Sequence, residues 1–256
     1  MFTNWHRPLL VNTLLMLGLA LWSAVGIFAD DRTLLGEPLW LKPLKFGLAF
    51  AVYSGTLSWL IGTLTRARRT GWWMGTLFAV AAFAEVAAIT LQAARGTFSH
   101  FNTSTDPITL LATQIFTNGV AALFLLQLAI VTLVLFQRGG DRALMRAVRW
   151  GLSFATVGMI VPVYWMATEI HQRTVVDANG REIVMYQGHD VGGGDFRVPH
   201  FIGLHGIQVL LLVVFALRRV EERKRARLVG LAAFAYAGLL AFAIWQTSRG
   251  HSFFQF

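Results

Sequence analysis

Six of the seven histidines, His100, His171, His189, His200, His205 and His251, fall in segments that a hydropathy reading places at one face of a membrane. Neutral imidazole is the commonest metal ligand and a frequent haem axial ligand. His200 and His205 are five residues apart, about 140° around a helix, so they cannot chelate one ion as an i, i+4 pair would. A site must therefore be assembled from several helices. On this reading His205, with His171 or His100 and with His200 nearby, holds haem b or a transition metal (copper, iron or zinc). Arg95 and Arg249, the side chain type best shaped for carboxylates, bind propionates or an anionic substrate. Gln92 lines the same site, and Gln208, three residues after His205, orients the imidazole. The plainer alternative is a set of interfacial histidines bonded to water and carbonyls.

Glu85 lies near the middle of the third apolar run, where a carboxylate is expensive and is neutralised, paired or turned to a cavity. Gln92 and Arg95 follow on the same helical stripe. This supports a different chemistry: a proton relay or coupling carboxylate of a transporter for a small, anionic solute, or else a glutamate that only holds helices together. Lys42 and Lys45 open the second run. They either snorkel to the interface, or Lys45, the deeper of the two, pairs with Glu85 or an anionic ligand. Gln114 and Asn118 share a face of the fourth run and are expected to hydrogen-bond between helices.

The elements that must position these residues are apolar. The chain of 256 residues is 55% hydrophobic, with a mean hydropathy of +0.57, values a soluble domain does not sustain. Seven runs near the length of a membrane span cover roughly residues 8–29, 39–64, 72–94, 108–136, 150–170, 200–219 and 228–248. The expected fold is all-α, a seven-transmembrane-helix bundle forming one integral membrane domain over residues 1–256. The net charge of +9 does not indicate nucleic acid, because 14 of the 22 Lys and Arg residues cluster at alternate loops with only Asp141, Glu221 and Glu222 among them. That asymmetry puts the N-terminus in the cytoplasm. The basic loops can also meet anionic head groups of the lipid bilayer. The absence of cysteine excludes disulfides and thiolate-held metals. Seven spans alone would suit a retinal protein, but a Schiff-base lysine is missing: the lysines are Lys42, Lys45 and Lys224. In the outer loop at 172–199, apolar runs flank Asn179-Gly180 and predict a small hairpin.

A faint repeat joins Gln92-Ala93-Ala94-Arg95-Gly96 to Gln246-Thr247-Ser248-Arg249-Gly250, and Pro43 and Gly47 to Pro199 and Gly203. Spans 1–3 would then match spans 5–7 in a 3+1+3 parallel pseudo-repeat, the plan of SWEET-type sugar carriers. Three segments together, Lys42-Pro43-Leu44-Lys45-Phe46, Gln92 to Asn102 and Gly193 to Gln208, resemble an uncharacterised family of bacterial multi-pass membrane proteins. The resemblance covers most of residues 40–210 and implies a bacterial inner (plasma) membrane location, without an activity. Three functions remain open: a haem- or metal-binding redox protein, a transporter or binding protein with a small-molecule ligand at the outer face, and a non-catalytic assembly component.

Overall fold

The computed structural model describes residues 4–34, 36–100, 102–137, 139–167, 172–176, 182–186 and 195–249. Among them are seven helices long and apolar enough to cross a bilayer, so the chain is an all-α, multi-pass membrane protein. They are α1 (Arg7–Ala29), α2 (Leu41–Gly62), α3 (Arg68–Ala94), α4 (Pro107–Leu135), α5 (Arg142–Ala167), α6 (Arg197–Ala216) and α7 (Glu222–Ser248). The predicted spans fall on these helices. The fifth and seventh begin earlier than their apolar runs because arginine-rich turns extend the helices beyond the hydrophobic stretch. Pro162 lies inside α5 without ending it. Two short ribbons complete the list: β1 (Thr33–Leu34) pairs antiparallel with β2 (Glu37–Pro38), and β3 (Gln172–Val176) pairs with β4 (Glu182–Tyr186). The second ribbon is the predicted hairpin; its Asn179-Gly180 turn lies outside the described residues.

The chain divides into two compact units, Met1–Gln137 with Val176–Ile183 and Arg138–Val175 with Val184–Phe256. In the first, α1, α2 and α3 pack on one another and α4 packs along α3. Its two ends are fastened differently. At the His6 end, the His6 ring caps α1: Nδ1 accepts from the Leu9 amide at 3.3 Å, and Nε2 donates to the Trp72 carbonyl at 2.8 Å. That bonding defines a neutral ring, and burial lowers the His6 pKa below its ordinary 6.5 despite the Trp72 bond. Gln137 joins α4 to the end of α2 through the Thr65 amide and the Thr63 carbonyl. At the Lys42 end, Asp30 accepts from both Arg32 and the Trp40 indole, and Arg32 also donates to the Ala94 carbonyl. The Arg32 and Trp40 bonds hold the Asp30 carboxyl well below the usual range.

In the second unit, α5, α6 and α7 pack mutually. Glycine sets the α5–α6 distance: a Cβ on Gly203 would lie 2.5 Å from the Gly158 Cα and 2.8 Å from the Phe154 carbonyl oxygen. Such backbone approach is what small residues allow between helices in lipid. Tyr236 of α7 donates to the Ile202 carbonyl at 2.6 Å, and Phe154, Leu210, Val229, Ala233 and Leu240 form the core between the three helices.

Candidate functional site

Gly96 is the turning point of the site. It has φ +72°, and its amide bonds the Ala93 carbonyl while the Thr97 amide bonds that of Gln92. This is a Schellman stop, which reverses the chain at the end of a helix and favours glycine. The connection that follows is pinned by Asn102, whose amide donates to Thr97 Oγ1 and the Phe98 carbonyl, each at 2.9 Å. Asp106 then caps α4, accepting from the Thr109 amide at 3.1 Å, from Ser104 at 2.9 Å and from Arg95 at 2.7 Å. The Thr109 bonds above all hold the Asp106 carboxyl well below its ordinary range.

Held in this way, the connection folds back into the unit. The His100 ring stacks on Phe116 of α4, centroids 4.2 Å apart, and Phe46 of α2 lies at 6.3 Å. Phe116 is nine residues into α4, about 14 Å along the helix at 1.5 Å per residue, so the imidazole reaches well below the helix ends. Its Nδ1 meets Lys42 Nζ at 3.3 Å and Ser99 Oγ at 3.1 Å. Its Nε2 is 3.5 Å from Glu85 Oε1, ion-pair range but longer than a good hydrogen bond. An ammonium can only donate, so Nδ1 is the acceptor and Nε2–H faces the carboxylate. Burial first, then the Lys42 charge, push the His100 pKa well below its ordinary value. Glu85 is 2% exposed, and its Oε2 has no hydrogen-bond partner. That oxygen points at Gly119 of α4, where a Cβ would come within 2.7 Å of it. Glu85, His100 and Lys42 therefore form a line from the interior to the Lys42 end, along which a proton can be held or passed.

The other expected residues take different places. Lys45 is exposed, and it is Lys42, one turn earlier, that meets His100. Gln92 is fully buried, accepting from Arg95 at 2.6 Å and donating to Thr109 at 3.3 Å. The Arg95 guanidinium is thus engaged by Gln92, Thr109 and Asp106, and both residues shape the loop that carries His100. Gln114 and Asn118 do not join helices within the unit; both lie on the exposed face of α4, because the buried stripe of that helix runs through Ala112, Phe116, Leu123 and Gln127.

His200, His205, Gln208 and Arg249 belong to the second unit. His200 Nδ1 bonds the Gly158 carbonyl at 2.7 Å. The His205 ring stacks on Phe201 with centroids 6.1 Å apart. Gln208 stands beside His205, and its amide, oriented to satisfy both atoms, donates to the Leu204 and His205 carbonyls at 3.2 and 3.3 Å. Arg249 is the exposed C-cap of α7. Asp195 and Arg197 pair at the start of α6. His171, with His189 and His251, lies outside the described residues. Among the described residues, no group of three or more His, Cys, Asp or Glu side chains is arranged to hold a metal ion.

The residues the sequence reading passed over are Lys42 in its contact with His100, and Asn12, Tyr53 and Gln127. Each is a polar side chain inside an apolar run, the same signal that singled out Glu85. No family model matches the chain, and no curated protein or solved structure is significantly similar to it.

Proposed function

We propose that the protein is a proton-coupled transporter for a small anionic solute, with Glu85 as the coupling carboxylate and His100 as its proton partner. The observation that carries this reading is the pair itself: a buried carboxylate with one unpartnered oxygen, met by an imidazole that a folded-back connection brings to it. Intramembrane ionisable groups of this kind mark proton relays and substrate pathways. Lys42 and Lys45 place positive charge at the same end, which suits an anion approaching Glu85.

Helix spacings that agree with the expected 3+1+3 pseudo-repeat support the carrier reading. Helix α6 begins at Arg197, 156 residues after Leu41 of α2. Helices α3 and α7 start at Arg68 and Glu222 and stop at Ala94 and Ser248, 154 residues apart at both ends. Their close approaches correspond too. A Cβ on Gly47 would meet the Ala20 nitrogen and Met16 carbonyl oxygen; one on Gly203 would meet the Gly158 nitrogen and Phe154 carbonyl oxygen. Ala20 and Gly158, like Met16 and Phe154, are 138 residues apart, as are the ends of α1 and α5 at Ala29 and Ala167. Paired three-helix repeats that rock against each other are a known carrier plan. In this reading the basic loops and the N-terminus face the cytoplasm of a bacterial inner membrane.

The test is uptake into proteoliposomes under an imposed inward proton gradient, using a panel of labelled small carboxylates and inorganic phosphate. Gradient-dependent accumulation of a panel member by the wild type, lost in Glu85→Gln, is the expected result. Accumulation that ignores the gradient, or survives Glu85→Gln unchanged, refutes the role given to Glu85.

A further inference from the structure

Seven buried side-chain polar atoms among the described residues have no hydrogen-bond partner, and five of them lie in the interior of the first unit: Asn12 Oδ1, Tyr53 OH, Glu85 Oε2, and both amide atoms of Gln127. Buried polar groups are rarely left unpaired, since each costs about 1–3 kcal/mol. Five in one unit therefore ask for a common explanation, and their placement supplies one.

They are ordered along the helices. Glu85 is nine residues from the end of α3, about 14 Å in from the Lys42 end at 1.5 Å per residue. Tyr53 lies deeper; its ring is tilted against Phe78, with centroids 6.1 Å apart, and Phe78 is two turns below Glu85. The Gln127 amide of α4 stands beside the Tyr53 hydroxyl. Next to Tyr53, Ser54 accepts from the Asn12 amide at 2.9 Å, joining α2 to α1. One turn further, the Ser58 hydroxyl donates to the His6 carbonyl at 2.9 Å. Asn12 is 2% exposed, and Gln127, Ser54 and Ser58 are fully buried. With Lys42 and His100 above Glu85, polar groups run from one end of the unit to the other, contributed by α1, α2, α3, α4 and the α3–α4 connection.

We propose that this line is a proton pathway through the first unit, carrying protons between Glu85 and the His6 end by way of Tyr53, Gln127, Asn12 and Ser54. The axial rise from Glu85 to Phe78, against whose ring the Tyr53 ring lies, is about 10 Å, the length of seven residues. Two or three waters bridge such a distance, and each has polar partners in the unpaired atoms. Transfer is by relay along the waters and the Tyr53 and Ser54 hydroxyls, each accepting one proton from one side and releasing one to the other, while the Gln127 and Asn12 amides hold the waters in line; Glu85 and His100 return to their starting states and one proton moves. Glu85 then exchanges with one end through His100 and Lys42 and with the other through the waters and hydroxyl beside Gln127. This inference rests on the reading of Glu85 as a proton-exchanging group and gives that group its second exit.

The experiment is hydrogen–deuterium exchange of the Glu85 carboxyl in the full-length reconstituted protein at acid pH. It is followed by the infrared C=O stretch of the protonated acid, identified by its loss in Glu85→Gln, and it needs no solute. With His100→Phe closing one exit, exchange is expected to persist. Adding Gln127→Leu or Tyr53→Phe should then slow it at least tenfold. Thermal unfolding of each variant, compared with the protein it is built on, separates loss of the pathway from loss of the fold. Exchange abolished by His100→Phe alone, exchange indifferent to Gln127→Leu and Tyr53→Phe, or the absence of a protonated-acid band would each overturn the pathway. The uptake assay above would still decide the transporter reading separately.

Discussion

Gly203→Ala should destabilise the protein, and Gly47→Ala should not. Both positions are glycines in helices, so alanine gains up to about 1 kcal/mol of helix propensity at each. The difference lies in what the new methyl meets. At Gly203 the Cβ would lie 2.5 Å from the Gly158 Cα, 2.8 Å from the Gly158 nitrogen and 2.8 Å from the Phe154 carbonyl oxygen. All three are backbone atoms of α5, so relief requires the two helices to separate by most of an ångström, breaking the contact along their length. Overpacking of this kind costs about 1–3 kcal/mol, and separation also strains the bond from His200 to the Gly158 carbonyl. At Gly47 the three nearest atoms, belonging to Ala20 and Met16, are all at 3.1 Å, and a shift of a few tenths of an ångström suffices. The expected net changes are a loss of about 1–2 kcal/mol for Gly203→Ala and about zero for Gly47→Ala. For a chain of this size that corresponds to a Tm lowered by roughly 2–8 °C in the first variant. The assay is thermal unfolding in detergent followed by tryptophan fluorescence, with monodispersity after heating as a second readout. A Gly203→Ala protein as stable as the wild type, or a Gly47→Ala protein that is the more damaged of the two, would refute the packing argument.

His6→Asn should preserve the helix cap, whereas His6→Ala should cost about 1 kcal/mol. The folded His6 pKa lies below 6.5, so the unfolded chain binds more protons, and His6 lowers stability as pH falls from about 6.5 toward its folded value. His6→Asn should therefore flatten part of the loss of Tm measured between pH 7 and 5; an unchanged slope would contradict the neutral ring. Arg95→Met leaves the buried Gln92 carbonyl without its 2.6 Å partner and should cost roughly 1–3 kcal/mol in thermal unfolding. Arg95→Lys should recover only part of this, because one ammonium cannot reproduce the fork to Gln92, Thr109 and Asp106. Gly119→Ala places a methyl 2.7 Å from Glu85 Oε2, the far end of a flexible side chain. It should leave Tm near the wild-type value but reduce gradient-driven uptake, and full uptake would show that the position of that oxygen is immaterial.

The helices were legible in the sequence because an apolar run of span length has little choice of structure in lipid. The boundaries of α5 and α7 were less so, since Arg142, Arg146 and Arg149, and likewise Arg223 to Arg227, are good helix formers that hydropathy counts against a span. Glu85 stood out as a charged group at unusual depth; His100 stood out only as one of the outer-face histidines expected to hold a metal or haem, and the structure sets it 3.5 Å from Glu85 instead. Their partner did not. Depth along the second run pointed to Lys45, yet it is Lys42 that meets His100, because the choice depends on where the α3–α4 connection folds back, which local sequence does not encode. Arg95 and Gln92 invited a ligand-binding role because arginine suits anions, yet Asp106, eleven residues on, supplies the anion internally. Buried polar groups such as Gln127 and Tyr53 become meaningful only when the packing sets them beside one another in the interior.

The most direct measurement compares two modes of transport in the same Glu85→Gln proteoliposomes: accumulation of the transported anion driven by a proton gradient, and its counterflow between two pools at equal pH. If Glu85 couples protons to solute, the variant loses accumulation and keeps counterflow at a rate near the wild type. Undiminished accumulation in the variant, or absence of counterflow in the wild type, would contradict the account.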